Sequence, residues 1–195
     1  MDQKIKSLIE YFNRHLLLDK REVAIVEQSF FQRKIKRRQF ILQEGEICKV
    51  STFVVSGCLR TYMVDNSGSE HNLQFAIENW WTGDIGSFHG DVPSKLNIEA
   101  MEDSVILQIK KEDLIELYEE LPKFNRIFRV LAENAMVSLQ RRTLLNISST
   151  AEERYLDFMN RYPFLFNRIS NVHIASYIGV TPEFLSTIRK KLVKS

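Results

Sequence analysis

From about Gln39 to Ile109 the apolar residues stop recurring at helical spacing. They come instead as short β-branched or aromatic runs, broken by turn-forming residues every ~8–12 positions. Phe40-Ile41-Leu42 leads into Glu44-Gly45-Glu46, and Ser51-Thr52-Phe53-Val54-Val55 leads into Ser56-Gly57. Leu59 to Val64 alternates with polar residues and ends at Asp65-Asn66-Ser67-Gly68, a hairpin turn. His71 to Ala76, Trp80-Trp81, Leu96 to Glu99 and Val105 to Ile109 complete at least six short strands with no long helix between them. Strands of this kind each have an apolar face to bury and no helices to bury it on, so they must pack as a β-sandwich or jelly roll.

The flanks read as helix. Ile5, Leu8, Ile9 and Phe12 fall at helical spacing. A break at Asn13-Arg14-His15 precedes a second short helix with Asp19 near its start and Val23, Ile25 and Val26 on it. Beyond Lys110, a short helix carries Asp113 to Tyr118 and stops at Pro122. A long one is expected from about Lys123 to Leu145. On it Phe124, Phe128, Leu131, Ala135 and Leu139 form one apolar stripe, about 30 Å long. Such a stripe packs either on its own sheet or on a twin helix in a parallel dimer, and a helix that outruns a small jelly roll favours the twin. Thr150 with Glu153 has capping-box spacing and opens a further helix at Ala151, which ends near Tyr162-Pro163. The expected organisation is a β-rich domain over residues 1–121 with N-terminal helices, a long helix over 122–147 that pairs with its twin and a small helical domain over 148–195, an α+β chain in all.

Asn171 to Val193 is the most informative segment. Val172, Ile174, Ala175 and Ile178 make a short amphipathic helix, and Gly179 stands where a helix needs a left-handed residue just past its end. Val180 follows as a buried turn residue. Thr181-Pro182-Glu183 then supplies, in order, an N-cap hydroxyl, a proline in the first turn and an acid facing the positive helix end. Phe184, Leu185, Ile188 and Leu192 form its inner face. Glu183, Ser186, Thr187, Arg189, Lys190 and, later, Lys194 form the outer one. Two short helices joined by a tight glycine turn describe a helix-turn-helix. Short polar groups at the N-terminus of the second helix suit base edges, and cations further along suit phosphates. Thr181, Glu183, Ser186, Thr187, Arg189 and Lys190 are therefore the expected DNA contacts.

Charge distribution agrees. From Arg141 onward nine Lys/Arg stand against four Asp/Glu, whereas the whole chain carries only +2. A basic end on a slightly acidic body points that end at a polyanion. Cys48 and Cys58 are the only cysteines of the 195 residues, too few for a disulfide scaffold or for an iron–sulfur cluster held by about four thiolates. His71 and His89 are the only histidines of the β-block and make no metal triad. No nucleophile elbow, P-loop or HExxH motif is present, so no enzyme is expected. No apolar run approaches a membrane span and Met1 to Lys6 lacks the apolar core of a signal peptide, which makes the cytoplasm the expected location.

Glu44-Gly45-Glu46, Val54-Val55-Ser56-Gly57, Asn66-Ser67-Gly68, Gly83-Asp84-Ile85-Gly86, the long helix and the final helix-turn-helix follow one another in an order and spacing that resembles the Crp/Fnr family of bacterial regulators. The run Ile174 to Glu183 resembles the members common in Bacteroidetes-type bacteria. The resemblance implies a cyclic-nucleotide-binding-type jelly roll (a double-stranded β-helix), a dimerisation helix, a C-terminal winged-helix-like helix-turn-helix, and double-stranded DNA, a second copy and RNA polymerase as partners. It implies effector-pocket candidates at Gly83, Asp84, Ile85, Ser94 and Lys95. In the family's cyclic-AMP-binding members an acid holds the ribose and an arginine holds the phosphate. Here the acid is the shorter Asp84, and Pro93 is aligned with the arginine. Proline carries neither charge nor N–H, so cyclic-nucleotide binding is not expected. In the recognition helix Glu183 matches the family's base-contacting acid, while Thr187 departs from its base-reading arginine. The short stretch from Pro163 to Asn171 leaves room only for a reduced wing.

The aromatics Phe75, Trp80, Trp81 and Phe88 near the cassette fit a core better than a ligand platform. The second reading for the whole chain is a ligand-gated module whose helical tail binds protein rather than DNA.

Overall fold

The computed structural model describes residues 3–193, so the expected contact at Lys194 lies outside the described residues. The chain forms two compact units, one of Met1–Met63 with Gln74–Leu131, the other of Val64–Leu73 with Ala132–Ser195.

The first unit is a jelly roll capped by helices. Two four-stranded sheets are ordered β1-β8-β3-β6 and β2-β7-β4-β5, formed by β1 Phe31–Ile35, β2 Phe40–Leu42, β3 Val50–Ser56, β4 Leu59–Val64, β5 Glu70–Ala76, β6 Trp81–Thr82, β7 Asn97–Ala100 and β8 Ser104–Lys110. The recorded pairings are antiparallel, with Phe53 opposite Leu107 and Arg60 opposite Glu99. Val54, Ile98, Ala100, Leu59 and Ile106 are buried, and so are the small polar residues Thr52, Thr61 and Thr82. These polar groups find partners at once. Thr61 shares a hydrogen bond with Thr82 at 2.9 Å, and Gln108 donates to Thr52 at 3.0 Å. The Arg60 and Glu99 side chains form a 2.7 Å ion pair that is nearly closed to solvent.

Helices α1 Gln3–Asn13, α2 Lys20–Ser29, α3 Ile85–Gly90, α4 Lys111–Glu120 and the start of α5 Lys123–Ser148 complete this unit. Asp19 caps α2 in a capping box with Glu22. An aromatic cluster of Phe12, Phe30, Phe53, Trp81, Phe124 and Phe128 joins α1, the sheet and α5, with Phe12 and Phe124 rings 5.1 Å apart, edge to face. Trp81 is thereby a core residue, and Phe75 and Phe88 are buried as well.

The jelly roll begins earlier than the sequence suggests. Phe31–Ile35 is a strand on the edge of its sheet, paired with β8, and its Gln32-Arg33-Lys34 run hides the pattern. Edge strands tolerate such charge because one side is solvated.

The apolar stripe expected to make the dimer needs correcting. Phe124 is fully buried, and Phe128 and Leu131 pack against the same core, so the front of that stripe faces its own sheet. Ala135 and Leu139, further on, are exposed. A second apolar face runs along the back half of α5, where Met136 (72% exposed), Val137, Leu144 and Ile147 (79%) lie in the open. At about 100° per residue these four span roughly 100° of arc, centred roughly 150° from the expected stripe.

The second unit is a small helical bundle comprising the rest of α5, α6 Ala151–Arg161, a 3-10 turn at Leu165–Asn167, α7 Asn171–Ile178 and α8 Pro182–Val193. Its core is Tyr155, Phe158, Tyr162, Leu165, Ile174, Ala175, Ile178, Leu185 and Ile188. Thr150 and Glu153 form the capping box that starts α6. The loop Val64–Leu73, the tip of the β4–β5 hairpin, belongs to this unit and is pinned to α7. Ser176 Oγ accepts from Asn72 N (3.0 Å) and donates to Glu70 O (2.6 Å), while Asn72 Nδ2 donates to His173 O (3.1 Å).

Candidate nucleic-acid interface and sensor cassette

α7 ends in a left-handed residue at Gly179, φ +73°, which lets Gly179 N and Val180 N both return to Ala175 O. Ala175 is completely buried, and a larger residue there would push α7 off α8. Thr181 Oγ1 accepts from Phe184 N at 3.3 Å, as an N-cap does. Ile174, Ala175, Ile178, Leu185 and Ile188 fix the pair of helices, whereas Val172 and Phe184, both expected inside, are exposed and Val180 is half-buried.

The face left to solvent carries Thr181, Glu183, Ser186, Thr187 and Lys190, all exposed. Ser186 and Thr187 donate to the helix carbonyls of Pro182 and Glu183, at 3.0 and 3.2 Å, and each hydroxyl oxygen still faces outward as an acceptor. Arg189 differs from the rest. It is half-buried, donates to Asn171 Oδ1 at 2.6 Å and stacks over the Phe166 ring with its guanidinium carbon 4.4 Å from the centroid. Lys191 is turned to Glu152 on α6, at 2.5 Å. Between α6 and α7 the described residues form only the 3-10 turn and no strand, so no β-wing stands there.

In the first unit Gly83 and Asp84 precede α3. Asp84 is its N-cap, accepting from Ser87 N at 3.1 Å through one oxygen and from the Ser94 hydroxyl at 2.7 Å through the other. Ser87 Oγ in turn accepts from Cys48 N and donates to Val92 O. Ser94 is buried and faces Asp84, whereas Pro93 is exposed and bridges to Ile47. The side chain that meets the acid is Ser94, next to Pro93. Lys95, one residue on, is exposed, and Ile85 is also exposed. A cyclic phosphate would meet a neutral hydroxyl and a carboxylate already bonded through both oxygens, so these residues do not fit that ligand. Burial pushes the Cys48 thiol up, away from the reactive thiolate. Among the described residues no group of three or more His, Cys, Asp or Glu is placed to hold a metal ion, and no helix is long and apolar enough to cross a membrane.

Reasoning from the sequence missed one group of residues. Arg141, Arg142, Arg154 and Arg161 converge in the second unit, and only the doublet Arg141-Arg142 near the end of a long helix hinted at it.

Residues 32–120 match the cyclic nucleotide-binding domain family. The chain is 25% identical over 167 residues to the transcriptional activator protein anr of Pseudomonas aeruginosa, covering 80% of this chain and 68% of that protein. It is 26% identical over 177 residues to the regulatory protein HlyX of Actinobacillus pleuropneumoniae, covering 84% and 72%. The solved structure of FixK2 from Bradyrhizobium japonicum superposes with a TM-score of 0.74 at 19% identity, covering 85% of each chain, which speaks for the fold. A jelly roll, a long helix and a terminal helix-turn-helix follow one another in one order, and the relatives matched over most of the chain are transcription regulators rather than enzymes, so the chain is similar to the Crp/Fnr family of regulators.

Proposed function

We propose that this regulator binds double-stranded DNA as a homodimer through α8 and answers to an effector other than a cyclic nucleotide, or to none. The observation that carries the DNA reading is the solvent-facing side of α8, with Thr181, Glu183, Ser186, Thr187 and Lys190 all exposed on a helix anchored to its unit by the buried Leu185 and Ile188. A helix held in this way can lie in a major groove with its N-terminal polar groups on base edges, Glu183 accepting from a cytosine amino group. Lys190 and Arg189 then meet phosphates, Arg189 from a position already set by Asn171 and Phe166. In this division residues 1–121 sense, 122–147 dimerise and 148–195 bind DNA in the cytoplasm. RNA polymerase is the further partner the reading implies, and transcription from a reconstituted promoter tests it.

Footprinting of genomic fragments bound by the full chain should return sites with two-fold symmetry, half-sites about one helical turn apart. On such a site, replacing Arg189 and Lys190 together by Ala should weaken binding about 10- to 100-fold on specific and random DNA alike and flatten the salt dependence. Glu183→Ala and Thr187→Ala should instead relax base preference, by about 1–3 kcal/mol at the contacted pair. Unchanged affinity and preference in all of these variants would remove α8 from the groove and favour a protein partner.

The cassette gives a separate expectation. Cyclic AMP at about 1 mM should move the melting temperature by no more than about 1–2 °C, the shift left when ligand stays below its dissociation constant. A larger shift would mean that the Asp84–Ser94 pair opens to admit the nucleotide.

A further inference from the structure

In the second unit a shallow cleft, open to solvent, lies between the C-terminal half of α5, α6 and the end of α7. Its charged lining is four arginines, Arg141, Arg142, Arg154 and Arg161, against one carboxylate, Asp157, with the Tyr177 ring on one wall. None of the DNA contacts proposed above lines this cleft.

The arginines are held in place rather than waving in solvent. Arg142 donates to the carbonyls of Asn72, Leu73 and Tyr177 and lies over the Tyr177 ring at 4.1 Å. Arg154 donates to Ile178 O and Ser149 O, both at 2.8 Å, and Arg161 donates to Ser138 Oγ at 2.7 Å. Arg141, 61% exposed, reaches Asp157. Each guanidinium has five donors. Arg141 gives one of them to Asp157, and Arg154 gives two to carbonyls. The like charges also act on one another. Burial lowers the Arg142 pKa, Tyr177 and Tyr162 oppose that and the neighbouring Arg161 charge adds to it, so a compact anion in the cleft would offset the repulsion between the two guanidiniums.

We infer that this cleft is a binding site for a phosphate group. A fixed fork of N–H donors matches tetrahedral phosphate oxygens, and several guanidiniums against one carboxylate call for more than one negative charge, which phosphate and pyrophosphate carry. The same chemistry has two sources, a free phosphorylated metabolite or a phosphate of bound DNA.

Isothermal titration of the full-length protein with inorganic pyrophosphate, without DNA and at constant ionic strength, tests it. The wild type should bind. Arg141→Gln should weaken binding about 10-fold, since it removes one charge-assisted fork. Asp157→Asn should tighten it about 3- to 10-fold, because the amide no longer competes for Arg141. Tightening on loss of a surface ion pair is not what a purely structural role would give. Circular dichroism confirms that both variants are folded.

The salt dependence of DNA binding then separates the sources. If DNA supplies the phosphate, Arg141→Gln lowers the slope of log K against log salt by about one and pyrophosphate competes with DNA. If a metabolite does, the slope stays and pyrophosphate binds beside DNA. No heat with pyrophosphate together with an unchanged slope, or equal binding by wild type and both variants, overturns the site. Because the titration contains no DNA, its failure leaves the role of α8 untouched.

Discussion

Replacing Leu144 and Ile147 together by glutamate is expected to turn a dimer into monomers and to lower affinity for a two-fold DNA site by about 100-fold, the avidity lost when two half-site contacts are no longer linked. Both side chains are in the open on α5, with Ile147 79% exposed, and with Met136 and Val137 they make one apolar face on the half of the helix that leaves the jelly roll. Soluble proteins seldom leave so continuous a face uncovered, and a helix of 26 residues is long enough for a coiled-coil contact with its twin. Two glutamates on each helix would bring four carboxylates into that contact while leaving the buried side, Phe124 and Ile127, undisturbed. Sedimentation velocity reads the assembly and fluorescence anisotropy with a labelled symmetric site reads the affinity. Persistence of the dimer with Leu144→Glu and Ile147→Glu, but its loss with Ala135→Glu and Leu139→Glu, would return the interface to the stripe read from the sequence.

That stripe shows what a sequence hides. On α5 the spacing of Phe124, Phe128, Leu131, Ala135 and Leu139 is real, and periodicity identifies an apolar face without saying what covers it. The helix has two apolar faces in succession, one covered by Phe12 and Trp81 and one bare, and only the three-dimensional neighbours divide them. Features set by local chemistry were legible. The helix start at Asp19, the capping box at Thr150, the left-handed Gly179 and the Thr181 cap depend on residues within a few positions, which a sequence displays directly. Features set by distant partners were not. The strand at Phe31–Ile35 exists because β8 pairs with it, the Ser94 hydroxyl turns inward because Asp84 accepts it, and Arg141 lies beside Arg154 only once α6 folds back along α5. The α8 surface falls between these cases. Its outer residues follow from the 3.6-residue repeat, but the anchoring of Arg189 by Asn171 and Phe166 spans a turn of tertiary structure.

Gly57→Ala should be the most damaging single methyl in the jelly-roll unit, costing about 2–5 kcal/mol: about 1–2 for an L-residue forced to positive φ and about 1–3 for overpacking. Gly57 closes the turn after β3 with φ +101°, and its N–H is held by Glu78 Oε1 at 2.9 Å, so the backbone cannot simply swing away. A Cβ there would stand 2.1 Å from Ser104 Oγ, 2.6 Å from its Cβ and 2.8 Å from its Cα. The hydroxyl could rotate, giving up its bond to Glu102 O, but the Cα belongs to the start of β8 and moves only with the strand. Gly45 is the internal control. Its φ is +89°, equally left-handed, yet a Cβ there would meet nothing within 4 Å, so Gly45→Ala carries the conformational strain alone. Both tryptophans of the chain, Trp80 and Trp81, lie in the sensor unit, so their fluorescence follows the melting of that unit and not of the helical one. The melting temperature should fall by about 10 °C for Gly57→Ala and by roughly a third to a half as much for Gly45→Ala. Equal falls would mean that β8 yields freely to the extra methyl and that the close approach of Gly57 to Ser104 contributes nothing to the choice of glycine.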